Sequence, residues 1–380
     1  AVKNGTTKVI CTLKYKSGGK NTTKKLSVKV IVSASSATPA PTESVQPTPT
    51  PYIIPEYMNW WKDAKFGMFI HLGSYSEYAQ GEWAMSEQKI DKETYQTTIS
   101  ANFNPVNFDA EEIASYAKKA GMKYLVITAK HHEGFSMWDT QVESFKDYTG
   151  TKTYSLQKYT AFGETGRDLL LELKTACEKN ASDWSSDVCS SDLPKKAATF
   201  TEMTSEEARE EYIKDMKSQL KELVDKYDPS ILWFDGDWTY KKNAPTLNVW
   251  WTAEDGEDLW KYLKSLKEDI IVNERVCRGF NLGDFDCPEN KVPDTYDLPE
   301  RLWETCRTMN GAWGYKLSEE KKYLSVKSLI TEYVQAVSRG GNYLLNIGPK
   351  GDGSMTDGSK SILTGFSDWM NTYSESIYGT

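Results

Sequence analysis

The sequence predicts an α/β fold, a (β/α)8-like barrel, and three observations support this prediction. From about residue 55 onward, short apolar runs alternate with stretches that have the spacing of amphipathic helices. The polar residues of the apolar runs gather at their C-terminal ends, which is where parallel barrels carry their functional groups. A chain of 380 residues is also long enough for one large barrel with an appendage.

The first 54 residues differ in character from the rest of the chain. Residues 1–32 contain two alternating runs joined by a glycine-containing turn, which predicts a β-hairpin. This hairpin resembles the closing strands of a bacterial immunoglobulin-like module. Residues 33–54 are rich in Pro, Thr and Ser, a composition typical of an extended linker. We therefore expect the end of a small β module, a linker, and a barrel over residues 55–380.

The spacing of apolar residues predicts the strands and helices of the barrel. Residues 109–121 predict a helix, because they begin with an acidic turn and end at a glycine. Residues 204–227 predict another helix, with Thr204 and Glu207 as a capping box and an apolar stripe behind them. Five apolar runs predict buried strands: residues 66–73, 124–129, 230–235, 270–276 and 342–348.

One segment departs from this pattern. Residues 181–193 repeat Ser-Asp and Ser-Ser units and have almost no apolar period. Such a composition is not typical of a buried barrel strand. We therefore expect the barrel to be incomplete around residues 181–193, with neighbouring strand edges left unpaired.

Composition excludes several classes of function. A net charge of −8 without clustered Lys or Arg argues against a nucleic-acid partner. No run approaches the roughly 18 apolar residues that a membrane-spanning helix needs, so we expect no membrane insertion. The six cysteines form no CxxC pair, which gives no sign of a structural metal. The 13 Trp and 22 Tyr suit a sugar site, although buried core aromatics explain them equally well.

Seven short motifs occur in a fixed order along the barrel: WWKDAKFGMFIHLG (60–73), GEW (81–83), KHHEGF (130–135), LWFDG (232–236), WETC (303–306), WGY (313–315) and LLNIGP (344–349). Together they resemble the catalytic domain of α-L-fucosidases of glycoside hydrolase family 29, over residues 58–380. The resemblance implies an exo-acting, retaining enzyme that hydrolyses terminal α-L-fucose from fucosylated oligosaccharides or glycoconjugates. It also implies that no cofactor or metal is needed.

Glycoside hydrolysis with retention needs two carboxylates roughly 5 to 5.5 Å apart. Asp235 ends an apolar strand and matches the nucleophile of the family's Trp-Phe-Asp-Gly motif, so we predict it as the nucleophile. Asp235 as a simple loop cap is the alternative, a role that Asp237 would fill equally well.

The acid/base is predicted to be Glu289. Residues 283–289 (GDFDCPE) resemble the loop that carries this group in one large subgroup of the family, with Cys287 in place of the usual Thr. Glu274 and Glu304 lie in comparable loops and remain alternatives. Neighbouring Arg275 matches a family residue that touches the sugar or the nucleophile.

All three histidines of the chain, His71, His131 and His132, follow predicted strands. A lone histidine is more often a satisfied core residue, and a histidine pair is also compatible with a metal site. The resemblance implies instead that these rings bind fucose hydroxyls, since a neutral imidazole both donates and accepts hydrogen bonds. We therefore predict three sugar-binding histidines and no metal.

Further sugar contacts are expected from Glu82, Trp83 and Trp313. The first two match a Glu-Trp pair that lies near the sugar in some family members, and Trp313 would supply an apolar wall. A surface turn with one anchored aromatic is the alternative for residues 81–83. We expect Trp233 and Trp303 to belong to the core.

A second functional hypothesis keeps the barrel but not the reaction. A fucose- or glycan-binding barrel without turnover would result if the segment 181–193 disrupted the active site. The Pro/Thr linker is typical of secreted modular enzymes, so we expect an extracellular or cell-surface location in a bacterium, with attachment to the cell wall or to glycans through other modules.

Overall fold

The computed structural model describes residues 5–17, 20–32, 53–180, 185–190, 206–236 and 251–379. The chain divides into two compact units, Ala1–Pro51 and Tyr52–Thr380. In the first unit, strands β1 (Gly5–Ser17) and β2 (Lys20–Val32) pair antiparallel, which is the predicted hairpin. The predicted linker lies almost entirely outside the described residues, so the proposed domain boundaries stay a prediction.

Seven parallel strands form one sheet in the second unit: β3 (Phe66–Ile70), β4 (Tyr124–Lys130), β5 (Ser185–Ser190), β6 (Ile231–Trp233), β7 (Ile271–Val272), β8 (Glu304–Thr308) and β9 (Asn342–Ile347). Their spatial order is β7-β6-β5-β4-β3-β9-β8. The first and last strands of the unit, β3 and β9, therefore lie side by side. This order is that of a (β/α)8-like barrel, as the sequence predicted.

Residues 285–289 join the two edge strands of this sheet. Phe285 forms a parallel bridge with Asn273, just after β7, and Glu289 forms one with Cys306 of β8. Backbone pairing thus continues from β7 to β8 through single bridges. The eighth position of the barrel is occupied by this bridged segment.

The expectation of a gap at residues 181–193 is wrong for the part that the structure describes. Strand β5 lies between β4 and β6, with Ser185 paired to Tyr124 and Val188 paired to Leu232. Strand pairing uses backbone N–H and C=O groups, and each flanking parallel strand offers a row of them. The polar side-chain pattern therefore did not prevent a strand. The rest of the segment lies outside the described residues.

Helices lie between most of the strands and after the last one: α1 (Asn59–Ala64), α2 (Tyr75–Tyr78), α3 (Ala84–Glu87), α4 (Lys92–Thr98), α5 (Ala110–Lys119), α6 (Leu156–Tyr159), α7 (Leu169–Asn180), α8 (Glu206–Tyr227), α9 (Ala253–Leu266), α10 (Val326–Ser338), α11 (Asp357–Tyr373) and α12 (Glu375–Tyr378). Helix α5 matches the prediction, and Asp109 caps it by accepting from the Glu112 backbone N–H at 2.8 Å. Helix α8 buries its predicted stripe, but Thr204 lies outside the described residues.

Successive residues of the strands belong alternately to two apolar clusters. One cluster fills the barrel interior and includes Phe69, Val126, Trp233 and Leu344. The intervening strand residues, such as Met68 and Leu345, pack instead against the helices. Since successive strand residues point to opposite faces, the interior side chains at the C-terminal ends converge on one opening.

A carboxyl group is buried inside this interior. Glu304, the first residue of β8, is 1 % exposed and accepts hydrogen bonds from the Tyr124 hydroxyl and from Trp233 Nε1 at 3.1 Å. Burial raises the pKa of Glu304 to about 7, against the opposing effect of these two donors. A neutral carboxyl is less costly to bury than a carboxylate.

This burial predicts a pH-dependent stability. Between pH 4.5 and about 7, folded Glu304 keeps a proton that the unfolded chain has lost, so the free energy of unfolding falls as the pH rises through this window. We expect Glu304→Gln to remove this loss. Between pH 4.5 and pH 8, the free energy of unfolding should therefore fall less in the variant than in the unaltered protein, by up to about 3 kcal/mol. Urea unfolding at pH 4.5, 6 and 8 measures it, with exposed Glu300→Gln as control. Equal pH slopes in all three proteins would contradict the assignment.

Candidate active site

The predicted site residues meet at the C-terminal ends of the strands, around a cavity of about 250 Å³. Eight of the nine predicted residues line it: His71, Glu82, Trp83, His131, Asp235, Arg275, Glu289 and Trp313. The ninth, His132, does not line the cavity but contacts a residue that does, with its Nε2 3.7 Å from Asp235 Oδ2. The sequence therefore identified a set of side chains that the fold brings together.

Asp235 follows β6 by two residues and points into the cavity mouth. Its Oδ1 accepts a hydrogen bond from Arg275 Nη1 at 2.8 Å, and Arg278 Nη2 lies 3.6 Å from the same oxygen. Burial acts to raise the pKa of this carboxyl, but the charge of Arg275 and the neighbouring His132 outweigh it, and the pKa lies well below its usual range. Asp235 is therefore an ionised carboxylate, as a nucleophile must be.

Arg275 contacts both predicted catalytic carboxylates with one guanidinium group. Besides Asp235, it donates through Nη2 to Glu289 Oε2 at 3.0 Å. The Arg275 side chain is 2 % exposed and stacks on the Trp233 ring, 4.5 Å from its centroid. The planar fork of an arginine holds two acceptors in a fixed relation. The two carboxylates are thus positioned side by side.

Glu289 ends the bridged segment 285–289 and is 41 % exposed. The same segment is anchored by Glu274, whose Oε1 accepts from the Cys287 backbone N–H at 2.8 Å. Of the three acid/base candidates, only Glu289 lines the cavity. Glu274 supports the segment. The expectation that Glu304 lies in a loop is wrong, because Glu304 is the first residue of β8 and is enclosed in the barrel interior.

His71 is held in one tautomer by a short relay. Asn346 Nδ2 donates to the Trp313 carbonyl at 2.7 Å, which turns Asn346 Oδ1 toward His71 Nδ1 at 2.6 Å. Burial and neighbouring His131 lower the pKa of His71 to about 3, so the ring is neutral. Nδ1 therefore carries the proton, and Nε2 is an acceptor suited to a sugar hydroxyl.

The two consecutive histidines follow β4 and have different neighbours. His131 Nδ1 lies 3.4 Å from Glu133 Oε2, in a buried pair that the sequence interpretation did not include. His132 stacks on Trp83, with ring centroids 4.5 Å apart. Stacking on Trp83 thus sets the ring plane of His132.

The rim of the cavity is built from two loops. Glu82 Oε2 accepts from the Gly314 backbone N–H at 2.8 Å, and Gln80 forms an antiparallel bridge with Lys316. Gly81 lies in this ribbon with a φ of +89°, which side-chain-bearing residues rarely adopt. The GEW turn is therefore a wall of the cavity.

The structure adds four residues that the sequence interpretation missed. Phe69, Trp233 and Cys306 line the cavity, and Arg278 approaches Asp235. Trp233 had been assigned to the core; it is only 3 % exposed, but its ring face supports Arg275. Its position two residues before Asp235, at the end of the same apolar run, was the signal. Trp303 is a core residue, as predicted.

Among the described residues, no group of three or more His, Cys, Asp or Glu side chains is arranged to hold a metal ion. The site instead combines an anionic carboxylate, a second carboxyl group, several hydrogen-bonding rings and an apolar wall. Such a set suits a neutral ligand with many hydroxyl groups.

Comparison with known proteins gives a consistent result. The family model described as alpha-L-fucosidase matches residues 32–375. The alpha-L-fucosidase of Dictyostelium discoideum is 29 % identical over 349 residues, covering 84 % of this chain and 71 % of the relative. The tissue alpha-L-fucosidase of Bos taurus is 30 % identical over 344 residues, with 84 % and 69 % covered.

Solved structures of alpha-L-fucosidases are also similar to this chain. Alpha-L-fucosidase isoenzyme 1 from Paenibacillus thiaminolyticus superposes with a TM-score of 0.71 at 30 % identity, covering 85 % of this chain and 77 % of that one. A trapped covalent intermediate of an alpha-L-fucosidase from Bacteroides thetaiotaomicron gives 0.72 at 26 % identity, with 87 % and 78 % covered.

Proposed function

The chain belongs to the alpha-L-fucosidase family of retaining exo-glycosidases, and we propose that Asp235 is its nucleophile and Glu289 its acid/base. The observation that carries the proposal is the single Arg275 guanidinium that donates to both carboxyl groups. Such a group keeps the two oxygens at neighbouring positions, as a retaining mechanism requires. The substrate is a fucosylated oligosaccharide or glycoconjugate.

The first step forms a covalent intermediate. Asp235 attacks the anomeric carbon, while the bond to the leaving oxygen breaks and Glu289 transfers a proton to that oxygen. Arg275 keeps Asp235 ionised, and His71, with its acceptor Nε2, binds a sugar hydroxyl. The remaining sugar contacts come from Glu82, Trp83, His131, His132 and Trp313.

The second step releases fucose. Glu289, now a carboxylate, takes a proton from water as the water oxygen attacks the anomeric carbon and the ester bond to Asp235 breaks. Two inversions restore the starting configuration. The exposed position of Glu289 supports this role, because water and the leaving group both reach it from the cavity mouth.

A non-catalytic binding barrel is not favoured. That alternative depended on disruption by the segment 181–193, yet strand β5 is paired on both sides within the described part of the chain. Asp235 and Glu289 also both line the cavity.

Leaving-group dependence tests the choice of acid/base. We expect Glu289→Ala to lower kcat/KM roughly 10²- to 10³-fold on a fucosyl oligosaccharide, whose leaving oxygen needs a proton, and far less on 4-nitrophenyl α-L-fucoside, whose leaving group departs as an anion. Glu274→Gln serves as the matched control and should lower kcat/KM on both substrates by the same factor. A leaving-group effect in Glu274→Gln but not in Glu289→Ala would reverse the assignment.

We further propose an extracellular or cell-surface location in a bacterium, with attachment to wall or glycan through other modules. The Pro/Thr-rich composition of residues 33–54 supports this location. In the part of the chain that the structure describes, no helix has the length and apolar character needed to cross a membrane.

A further inference from the structure

Glu133 carries a buried carboxyl group that has no part in the catalytic steps above. It directly follows the two consecutive histidines after β4, and its side chain is 3 % exposed. His131 lines the catalytic cavity, whereas Glu133 does not. A carboxyl group is costly to bury unless it is hydrogen-bonded or paired with a charge. Its two oxygens therefore indicate its role through the groups that they contact.

The first oxygen, Oε2, faces a ring nitrogen of His131. It lies 3.4 Å from Nδ1, and both atoms are shielded from solvent. Within the part of the chain that the structure describes, neither of these two atoms has a closer hydrogen-bond partner. A carboxylate only accepts hydrogen bonds, so an attraction between the two atoms requires a proton on Nδ1.

The second oxygen, Oε1, accepts from the opposite side. Ser74 Oγ belongs to a fully buried residue and donates to Glu133 Oε1 at 3.3 Å. The hydroxyl of Tyr95 is in turn hydrogen-bonded to Ser74. Burial, followed by the neighbouring Glu133, raises the pKa of Tyr95 well above its usual range, so this hydroxyl keeps its proton and donates. The donors of this chain are thus all directed toward Glu133, which accepts at both oxygens.

The position of the His131 proton decides what this ring offers to the cavity. A neutral imidazole has one N–H group, so a proton on Nδ1 leaves Nε2 with a lone pair. His71 is fixed in the same way by Asn346 at its own Nδ1, and the two ring centroids lie 5.9 Å apart. Two neighbouring rings then present acceptors, each suited to a hydroxyl group that donates.

We propose that Glu133 is a positioning residue of the active site, which holds the proton of His131 on Nδ1 so that Nε2 accepts a hydrogen bond from a substrate hydroxyl. The kinetic consequence rests on the proposed function, but the proton position is a property of the protein without substrate. Glu133 acts only through His131. Without its acceptor, a proton on Nδ1 would be buried without a partner, so it moves to Nε2 and Nε2 no longer accepts.

Nitrogen-15 NMR tests the proton position directly. The chain has three histidines, so histidine labelling gives three imidazole rings, which His71→Ala and His132→Ala variants assign. At pH 8 we expect a proton on Nδ1 of His131 and none on Nε2 in the unaltered protein, and the reverse in Glu133→Leu. A proton on Nε2 of His131 in the unaltered protein would overturn the proposal, and so would an unchanged proton position in Glu133→Leu.

A double-mutant cycle tests whether Glu133 acts through His131. We expect Glu133→Leu to lower kcat/KM on 4-nitrophenyl α-L-fucoside roughly 10- to 30-fold, because a substrate hydrogen bond is lost and a donor is left facing it. Glu133→Gln should cost only a few-fold, because its amide oxygen also accepts from Nδ1. In a His131→Ala background, Glu133→Leu should cause no further loss. Equal losses from Glu133→Leu in both backgrounds would show a general effect on the fold and overturn the proposal.

Glu222→Leu is the matched control for removal of a partly buried carboxyl group. Glu222 accepts from Trp138 Nε1 at 3.0 Å and from the Thr140 hydroxyl at 2.7 Å, and it does not line the cavity. Its effect on kcat/KM should be the same factor with and without His131. Failure of the proposed function would look different: an unaltered protein that does not hydrolyse the fucoside would refute the catalytic assignment, and the nitrogen spectra would still decide on Glu133.

Discussion

Replacement of Asp235 by alanine is expected to lower kcat on 4-nitrophenyl α-L-fucoside on the order of 10⁴-fold or more, because no covalent intermediate can form without the carboxylate. The good leaving group makes this effect independent of Glu289. Steady-state kinetics on the purified variant measure it. The substrate should still bind, because the histidines and the aromatic rim remain in place.

A rescue experiment distinguishes loss of the nucleophile from loss of the fold. Azide is small enough to enter the space that the missing carboxylate leaves, and it would attack the anomeric carbon from the same face. The expected product is β-L-fucosyl azide, formed as the leaving group departs, with turnover rising with azide concentration. Exposed Asp294→Ala is the control and should keep full activity. Undiminished turnover in Asp235→Ala without azide would place the nucleophile elsewhere.

The sequence was most informative about residues whose chemistry and position coincide. Asp235, His71 and His131 each follow an apolar run, and a parallel barrel brings the ends of its strands to one opening. Their convergence could therefore be predicted without coordinates. Arg275 likewise follows a strand, β7, and reaches the same cavity.

Residues whose role depends on packing were harder to predict. Trp233 and Glu304 both have core-like burial, and only the fold shows that one supports Arg275 and the other anchors Trp233. A side chain that acts through a neighbour leaves no signal in local composition. The same holds for Glu133, whose pairing with His131 depends on loop geometry.

The segment 181–193 shows the limit of apolar patterning. An apolar pattern reflects only the side chains of a strand. The hydrogen bonds of β5, in contrast, are made by backbone groups between its two neighbouring strands, β4 and β6. A central barrel position therefore accepts a sequence that would not form a strand by itself. Patterning predicted β3, β4, β6, β7 and β9, whose apolar faces are what the barrel buries, but it did not predict β8, whose first residue, Glu304, was expected in a loop.

Replacement of Arg275 by methionine is expected to lower kcat/KM roughly 10³-fold, the second largest effect among these variants. Methionine keeps much of the buried volume but removes the donor shared by Asp235 and Glu289, so the two carboxyl groups lose their common position. Initial rates on 4-nitrophenyl α-L-fucoside measure the loss. Arg278→Met is the matched control, because Arg278 is more exposed and lies farther from Asp235, and we expect it to cost only a few-fold.

The pH profile separates this electrostatic role from a structural one. In the unaltered protein burial acts to raise the pKa of Asp235, but the charge of Arg275 and the neighbouring His132 together outweigh it and keep this pKa low. Without the charge of Arg275 the effect of burial is less strongly opposed and the pKa of Asp235 rises, so Asp235 is protonated and inactive over a wider acidic range. The acidic limb of kcat/KM should therefore move to higher pH in Arg275→Met and stay in place in Arg278→Met. A uniform loss of activity with an unmoved acidic limb would show that Arg275 only supports the loop, because a purely steric defect does not change the proton affinity of Asp235.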